Sequence, residues 1–379
     1  MTSTPYLAIL GRQAELGLLE LESRLGADRV QPYGRQAVLV DSVVDVAEYG
    51  GLIKAGRVLY DGPAHDLQTP QIDLAALPMS ESKTPFAFSL YGLKVSRRYV
   101  EVIGISLKKQ IRARGSVRFI VPGEGTTVSA AQLKHNQVLE RGFELLVVVV
   151  GQRMVIAQTT SIQDIDWYSK RDYDRPARSA KVGMLPPKLA KVLVNTTTAP
   201  LVVDPFCGTG VTLQEALLLG RDAVGSDLAP EMVDASRQNL NWLEGVAPTP
   251  LGHWSMQDAT DAREVRLPQL DCAIVSEGYL GPNLMSYPST ANLAKIRTEL
   301  RELYRVALRN WGEQLDPGAE IALCVPAWRT AKGWEYLGTV DDAPRLGYTI
   351  KVFKHVSKTV LYARPDQMVG RQLLLLRKN

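Results

Sequence analysis

Leu201-Val202-Val203-Asp204-Pro205-Phe206-Cys207-Gly208-Thr209-Gly210 is an apolar run that stops at an aspartate and enters a glycine-rich turn. Val211 to Leu219 follows with helical spacing, so the segment reads strand, tight loop, helix. Glycines in such a loop let the backbone approach a ligand and adopt conformations that a side chain blocks. Seventeen residues past Gly210, Asp227 ends the next strand, in Val224-Gly225-Ser226-Asp227. A doubly wound fold places an acid there to accept both ribose hydroxyls. Asp258, behind the strand Gly252 to Ser255, is positioned to reach an adenine amine. A nicotinamide fingerprint needs three glycines, and Gly208-Thr209-Gly210-Val211-Thr212-Leu213 lacks the third. No Gly-Lys-Ser/Thr follows either, which excludes a phosphate loop.

Outward from this core the pattern keeps alternating. Pro230 to Leu243 reads as a helix, Cys272 to Val275 as a strand, Ala291 to Leu315 as a long helix and Glu320 to Val325 as a strand. Strand-like runs at Ile350 to Val360 and Gln372 to Leu376 close the chain. Such alternation predicts a mostly parallel sheet with helices on both faces, an α/β Rossmann-like domain.

Upstream, Tyr6 to Gly11 reads as a strand and Ala14 to Leu25 as a helix, with Glu15, Glu20, Glu22 and Arg24 largely off its apolar face. Val38 to Val40 reads as a strand, Val43 to Lys54 as a helix, and Asp61 to Pro85 as irregular connection. A second pattern runs from Phe86 to Tyr91 (strand), through a basic amphipathic helix at Val95 to Ala113, to a strand at Ser116 to Val121. A helix at Val128 to Leu139 follows, then strands at Phe143 to Val150 and Met154 to Thr160 around the turn Gly151-Gln152-Arg153. The predicted organisation is an N-terminal α/β domain at 1–84, a second α/β module at 85–165, a linker and entry helix at 166–195, and the Rossmann-like domain at 196–379. Pro186 and Pro187 suit the first turn of the entry helix.

Composition excludes several classes. With 45% hydrophobic and 22% charged residues in a chain of 379, a disordered or disulfide-stapled protein is ruled out. The most apolar run, Leu145 to Val150, is far shorter than the roughly 20 residues of a membrane span. Met1 to Pro5 carries no secretory pattern, and Cys207, Cys272 and Cys324 show no paired spacing, so a reduced, cytoplasmic, soluble protein is expected. Four histidines, none spaced as a ligand pair, predict no metal. The net charge of +4 is mild. Locally, eight bases against one acid fall between Lys94 and Arg118, and seven against two between Lys170 and Lys191. Solvated faces would explain them simply; a divided footprint for a polyanion would also need clustered cations.

Asp204 to Gly210 resembles the first motif of class I S-adenosylmethionine-dependent methyltransferases, in the form found in enzymes that methylate amino nitrogens of nucleic-acid bases. Arg171-Asp172-Tyr173-Asp174-Arg175-Pro176 and Gly183-Met184-Leu185-Pro186-Pro187-Lys188-Leu189-Ala190 are similar to the entry segment of the THUMP-domain tRNA (guanosine-10 N2) methyltransferases. Leu10 to Leu16 and Arg364 to Arg371 also resemble that family. The resemblance implies a THUMP-like RNA-binding module at 85–165 and a seven-stranded catalytic domain at 196–379. It implies S-adenosyl-L-methionine held by Asp204, Gly208 and Gly210 at its methionine end, Asp227 at the ribose and Asp258 at the adenine. Phe206 and Leu228 are assigned to the same site. Lys108, Lys109, Arg112, Arg114, Arg171, Arg175 and Lys188 become the candidates for gripping tRNA.

The substrate motif departs from the family. Asp-Pro-Pro-Tyr is the usual form, whereas Ser276-Glu277-Gly278-Tyr279 stands here. Alignment on the tyrosine puts Ser276 in the aspartate's place; alignment on the carboxylate makes Glu277 the acid, with one residue deleted. The second is preferred because an exocyclic amine, its lone pair delocalised into the ring, needs an acceptor that favours the reactive geometry. Tyr279 is the candidate for stacking on the base, and a buried guanine would have to leave its stack to reach it. Glu277, Tyr279 and Ser276 are therefore the catalytic candidates for transfer to guanosine N2 in tRNA. The competing readings are a degenerate RNA-binding protein of the same fold and a DNA adenine N6-methyltransferase. A monomer is the default; related systems sometimes use a small activator protein, and nothing in the sequence marks a surface for one.

Overall fold

The computed structural model of the chain describes residues 5–68, 72–178, 185–284, 286 and 288–379. Gly183 and Met184 of the entry segment, Lys181, and Met1 to Thr4 lie outside the described residues. The chain divides into two units, residues 1–167 and 168–379. Among the described residues no helix is long and apolar enough to cross a membrane.

The first unit is built on one eight-stranded sheet: β1 (Tyr6–Leu10), β2 (Val30–Tyr33), β3 (Ala37–Val40), β4 (Leu52–Pro63), β5 (Thr84–Tyr91), β6 (Val117–Ile120), β7 (Phe143–Val150) and β8 (Arg153–Ile162), in the order β2-β3-β1-β4-β8-β7-β5-β6. The boundary expected at 84/85 is therefore not a break between sheets, because β4 pairs with β8 along Lys54 to Pro63. Residues 43–54 are not a helix. Only a short 3-10 turn at Val46–Glu48 forms before β4, and β4 absorbs Asp61 to Pro63, expected as connection. Glu20 explains why the chain turns at Gly50-Gly51: its buried carboxylate accepts both backbone N–H groups, each at 2.8 Å. Glu20 and Glu22 thus lie on the buried side of the Ala14–Leu25 helix, contrary to the polar-face assignment. The helix predicted over 128–139 is two short ones, Ala130–His135 and Val138–Arg141, separated at Gln137, whose φ of +51° interrupts it.

The second unit follows the predicted alternation. Its strands are β9 (Leu201–Asp204), β10 (Asp222–Gly225), β11 (Trp254–Met256), β12 (Cys272–Glu277), β13 (Glu320–Thr330), β14 (Gly333–Tyr336), β15 (Tyr348–Ile350), β16 (Val360–Tyr362) and β17 (Val369–Lys378). Seven of them form the order β11-β10-β9-β12-β13-β17-β15, with β14 paired on β13 and β16 on β17. Strands β9 to β13 of this path run parallel, and β17 is antiparallel to both of its neighbours. The Thr290–Gln314 helix covers one face with Leu293, Ile296, Leu300, Tyr304, Ala307, Leu308 and Trp311, a stripe at helical spacing. Each large side chain so buried contributes roughly 1.5–3 kcal/mol. Trp311 and Tyr348 keep their polar tips satisfied, on Ala262 O at 2.9 Å and Leu308 O at 2.7 Å.

Candidate active site

The chain leaves β9 towards β10 on one side and β12 lies on the other, so the carboxyl ends of β9 and β12 flank the switch point where doubly wound sheets bind ligands. Asp204 ends β9 and Glu277 ends β12.

The Asp204 carboxylate is buried, and Oδ1 accepts the Phe206 N–H at 3.1 Å and the Ser276 hydroxyl at 2.6 Å. Burial pushes its pKa up to about 7 against the pull of Ser276, Phe206 and Thr212, with Asp227 adding to the rise. The loop it opens is pinned from outside. Asp227 accepts Gly208 N–H at 2.9 Å on one oxygen and Ala229 N–H at 3.0 Å on the other. Ser236 donates to Gly208 O at 2.8 Å, and Asn239 to Thr209 O at 2.8 Å. Gly210 has φ +81°, a conformation that favours glycine, and a Cβ there would also sit tightly against Ser236 Oγ, at 3.0 Å. Ser236, Asn239 and Thr212 escape sequence reading, because nothing local distinguishes them from other helix polar residues. Leu228 is 68% exposed and Asp258 is exposed on the same rim, while Phe206 packs against Tyr304 and Trp311.

The post-β12 turn divides its residues between two jobs. Ser276, fully buried, is spent on Asp204 and is not available to a substrate. Glu277 forms an ion pair with Arg371 Nε on β17 and keeps 15% of its side chain exposed. Burial raises its pKa above the ordinary carboxylate value, with Arg371 opposing. Gly278 is enforced by close approach: a Cβ there would collide with the Tyr304 hydroxyl, which donates to Tyr279 O at 2.7 Å. The usual proline cannot occupy that spot, and the turn is held instead by Tyr304. Tyr279 projects outward, 53% exposed. Arg371 belongs to the C-terminal segment that resembles the family, yet sequence reading gives it no place in the site. Its partner lies 94 residues away, beyond any local pattern.

Two of the candidate RNA contacts need correction. Arg171 is buried, with Nε 2.7 Å from Glu215 Oε1, and Arg175 is 2% exposed. Burial lowers the Arg175 pKa, and both residues brace the domain rather than offer charge at its surface. Lys188 remains exposed, its ammonium 5.1 Å from the Tyr168 ring centroid. In the first unit Lys109 and Arg112 are exposed and Lys108 is partly covered. Arg114 is exposed but already donates to the carbonyls of Leu74 and Leu77. The three cysteines are buried, and burial raises every thiol, Cys272 to about 11, so none is a nucleophile.

The strand order with its one reversed strand, together with the loop between Asp204 and Asp227, gives the second unit the fold of class I S-adenosylmethionine-dependent methyltransferase domains. Comparison with known proteins agrees. A family model described as DNA methylase matches residues 158–238. A tRNA (guanine(10)-N2)-dimethyltransferase of Methanothermobacter thermautotrophicus is 29% identical over 187 residues, covering 47% of this chain and 49% of that protein. The protein of the same description from Pyrococcus abyssi is 38% identical over 76 residues, 20% of this chain and 23% of its own. The matches thus span half or less of these relatives' lengths. Among solved structures, TrmN from Thermus thermophilus aligns over 99% of this chain and 100% of its own, with a TM-score of 0.51 and 17% identity, a likeness of fold.

The chain's residues fit the cofactor. A buried carboxyl at the end of β9 and a loop whose glycines adopt positive φ suit the cationic amino acid end of the cofactor. Asp227, on the next strand's end, offers the acceptor that a ribose diol needs.

Proposed function

We propose that the protein transfers a methyl group from S-adenosylmethionine to the exocyclic N2 amine of a guanosine in tRNA, with guanosine 10 the favoured target. The observation that carries this reading is the Glu277 carboxylate. It stands at the end of β12, next to the Ser276 that contacts Asp204, paired with Arg371 and still partly open to solvent. The cofactor, when bound, supplies a methyl already activated by its sulfonium. Asp204, Gly208 and Gly210 would hold its methionine end, Asp227 its ribose and Asp258 its adenine, with Phe206 and Leu228 assigned to the same site.

Glu277 Oε2 accepts a hydrogen bond from the guanine amine, which favours the geometry that exposes the nitrogen lone pair. As the N2–CH3 bond forms and the S–CH3 bond breaks, the nitrogen sheds a proton to that same oxygen and thence to water. Tyr279 stacks on the extruded base and holds it in line. Lys108, Lys109, Arg112 and Lys188 supply phosphate contacts, and the 85–165 segment acts as the THUMP-like RNA module. These contacts position the RNA without reading its sequence. The relatives' names support tRNA and guanine N2 as substrate and target atom. The experiment is methyl transfer from labelled cofactor to unmodified tRNA, followed by digestion to nucleosides. N2-methylguanosine, mono- or dimethylated, is expected; label in adenosine alone would replace this reading with an adenine N6 activity.

A further inference from the structure

We infer that Arg371 and Glu277 together read the Watson–Crick edge of guanine, the guanidinium donating to O6 while the carboxylate accepts N1–H and N2–H. The inference rests on the proposed transfer to guanine N2 and extends it by giving base selection to a second residue.

The ion pair is almost enclosed, with Arg371 4% and Glu277 15% exposed, yet it is only half used. Arg371 spends Nε on Glu277 Oε1. Among the described residues, neither Arg371 Nη nitrogen nor Glu277 Oε2 has a hydrogen-bond partner, and none of these atoms is sealed from solvent. Arg371 is anchored on β17, where it pairs with Pro326 of β13 and Tyr362 of β16, and its guanidinium lies 5.8 Å from the Tyr362 ring centroid. The atoms left over reach solvent at the rim of an otherwise enclosed pair, where a ligand can take the place of the water that completes them.

The chemistry of the open atoms selects that ligand. The pair has donors left on Nη and acceptors left on Oε1 (its second lone pair) and Oε2, a set that a base edge with one acceptor and two donors completes. Guanine presents the complement: O6 accepts, N1–H donates and N2–H donates. Adenine opposes a donor with its amine and an acceptor with N1. Cytosine mismatches all three positions, and uracil fails at the last, where O2 meets Oε2. The same alignment that excludes adenine places the reacting amine on Oε2. A site built from such partners rejects analogues that lack them more strongly than an apolar pocket can, because its own groups are then left unpaired.

The test uses tRNA in which the mapped target guanosine is replaced by 2-aminopurine riboside, which keeps the N2 amine but lacks O6 and N1–H. For the wild-type protein kcat/KM should fall about 100-fold. Arg371→Ala should lose about as much on guanosine, yet lose less than about threefold more on 2-aminopurine, since the contact is already gone. Arg371→Lys keeps a charge beside Glu277 without the planar fork, and should fall between on guanosine with the same non-additivity. It preserves the test if Arg371→Ala misfolds, and thermal unfolding and cofactor affinity report on both variants. Equal wild-type rates on the two bases, or losses that multiply, would overturn the role of Arg371 while leaving N2 transfer standing. Failure of the wild-type protein to methylate guanosine in ordinary tRNA would overturn the proposed function, and this assignment with it.

Discussion

Two of the nearly buried ion pairs, one in each unit, look alike by burial and differ in what surrounds them. In the first unit Lys54 pairs with Glu144, and each of their polar atoms has a further partner within the protein. Lys54 Nζ donates to Val128 O at 2.6 Å, while Glu144 accepts Ser89 at 2.6 Å on one oxygen and Thr159 at 2.7 Å on the other. In the second unit Glu277 and Arg371 meet at the mouth of the switch point with an oxygen and two nitrogens left over. Burial alone therefore does not mark a functional charge; an unfinished hydrogen-bond set beside a ligand cradle does.

The largest effect should come from breaking the closed pair. Lys54→Met strands the Glu144 carboxylate in the β-sheet and should cost about 3–5 kcal/mol in urea unfolding, with cofactor affinity of the surviving folded protein unchanged. Replacing Glu144 with Leu in the same background should recover most of the loss, which would establish the pair as structural. At the cradle, Asp227→Ala removes the proposed ribose acceptor and the anchor of Gly208 and Ala229. Cofactor binding by calorimetry should weaken about 10–100-fold. An unchanged affinity would move the ribose elsewhere.

Asp204 sharpens the contrast by pH. Its folded pKa of about 7 lies above the unfolded 3.8, so between those values the native state binds more protons and stability falls as pH rises. The groups facing it are the Ser276 and Thr212 hydroxyls, the Phe206 N–H and the Asp227 carboxylate. A cationic cofactor favours the ionised form, so binding below neutral pH should release a proton, tighten as pH rises towards about 7 and level off above it. Calorimetry in buffers of different ionisation enthalpy measures the release, and Asp204→Asn should abolish it. The smallest effect belongs to the surface: Lys109→Ala and Arg112→Ala should weaken tRNA binding uniformly, each lowering the salt slope by about 1. No change in slope would remove that helix from the RNA contact.

The second unit is legible in the sequence because each of its parallel strands is a short apolar run bounded by a turn and followed by helical spacing, as in Leu201 to Leu219. Motif reading also locates Asp204 and Glu277 at strand ends, and Gly210 and Asp227 in the loops that follow strands. The first unit is harder. β4 carries register shifts at Ala55/Gly56 and Val58/Tyr60, and those irregularities erase the period-two alternation by which a strand is recognised. Charged residues mislead in both units. Glu20, Arg171 and Arg175 look like surface residues, and the groups that bury the first two, Gly50-Gly51 and Glu215, are 30 or more positions away. Arg371 shows the same blindness at the active site, since only the β12-β13-β17 order brings it to Glu277.

The central claim is that the Glu277 carboxylate does the work of transfer. It is tested most directly by single-turnover methylation of tRNA with Glu277→Gln, alongside cofactor affinity. An amide of the same shape keeps an acceptor oxygen but not the charge that receives the amine's proton. The transfer rate should fall about 100–1,000-fold with cofactor affinity within about twofold of wild type. Because burial raises the Glu277 pKa, the wild-type rate should also decline as pH drops towards that raised value, whereas the residual rate of the variant should not. A Glu277→Gln protein that still methylates guanosine at close to the wild-type rate would contradict the account.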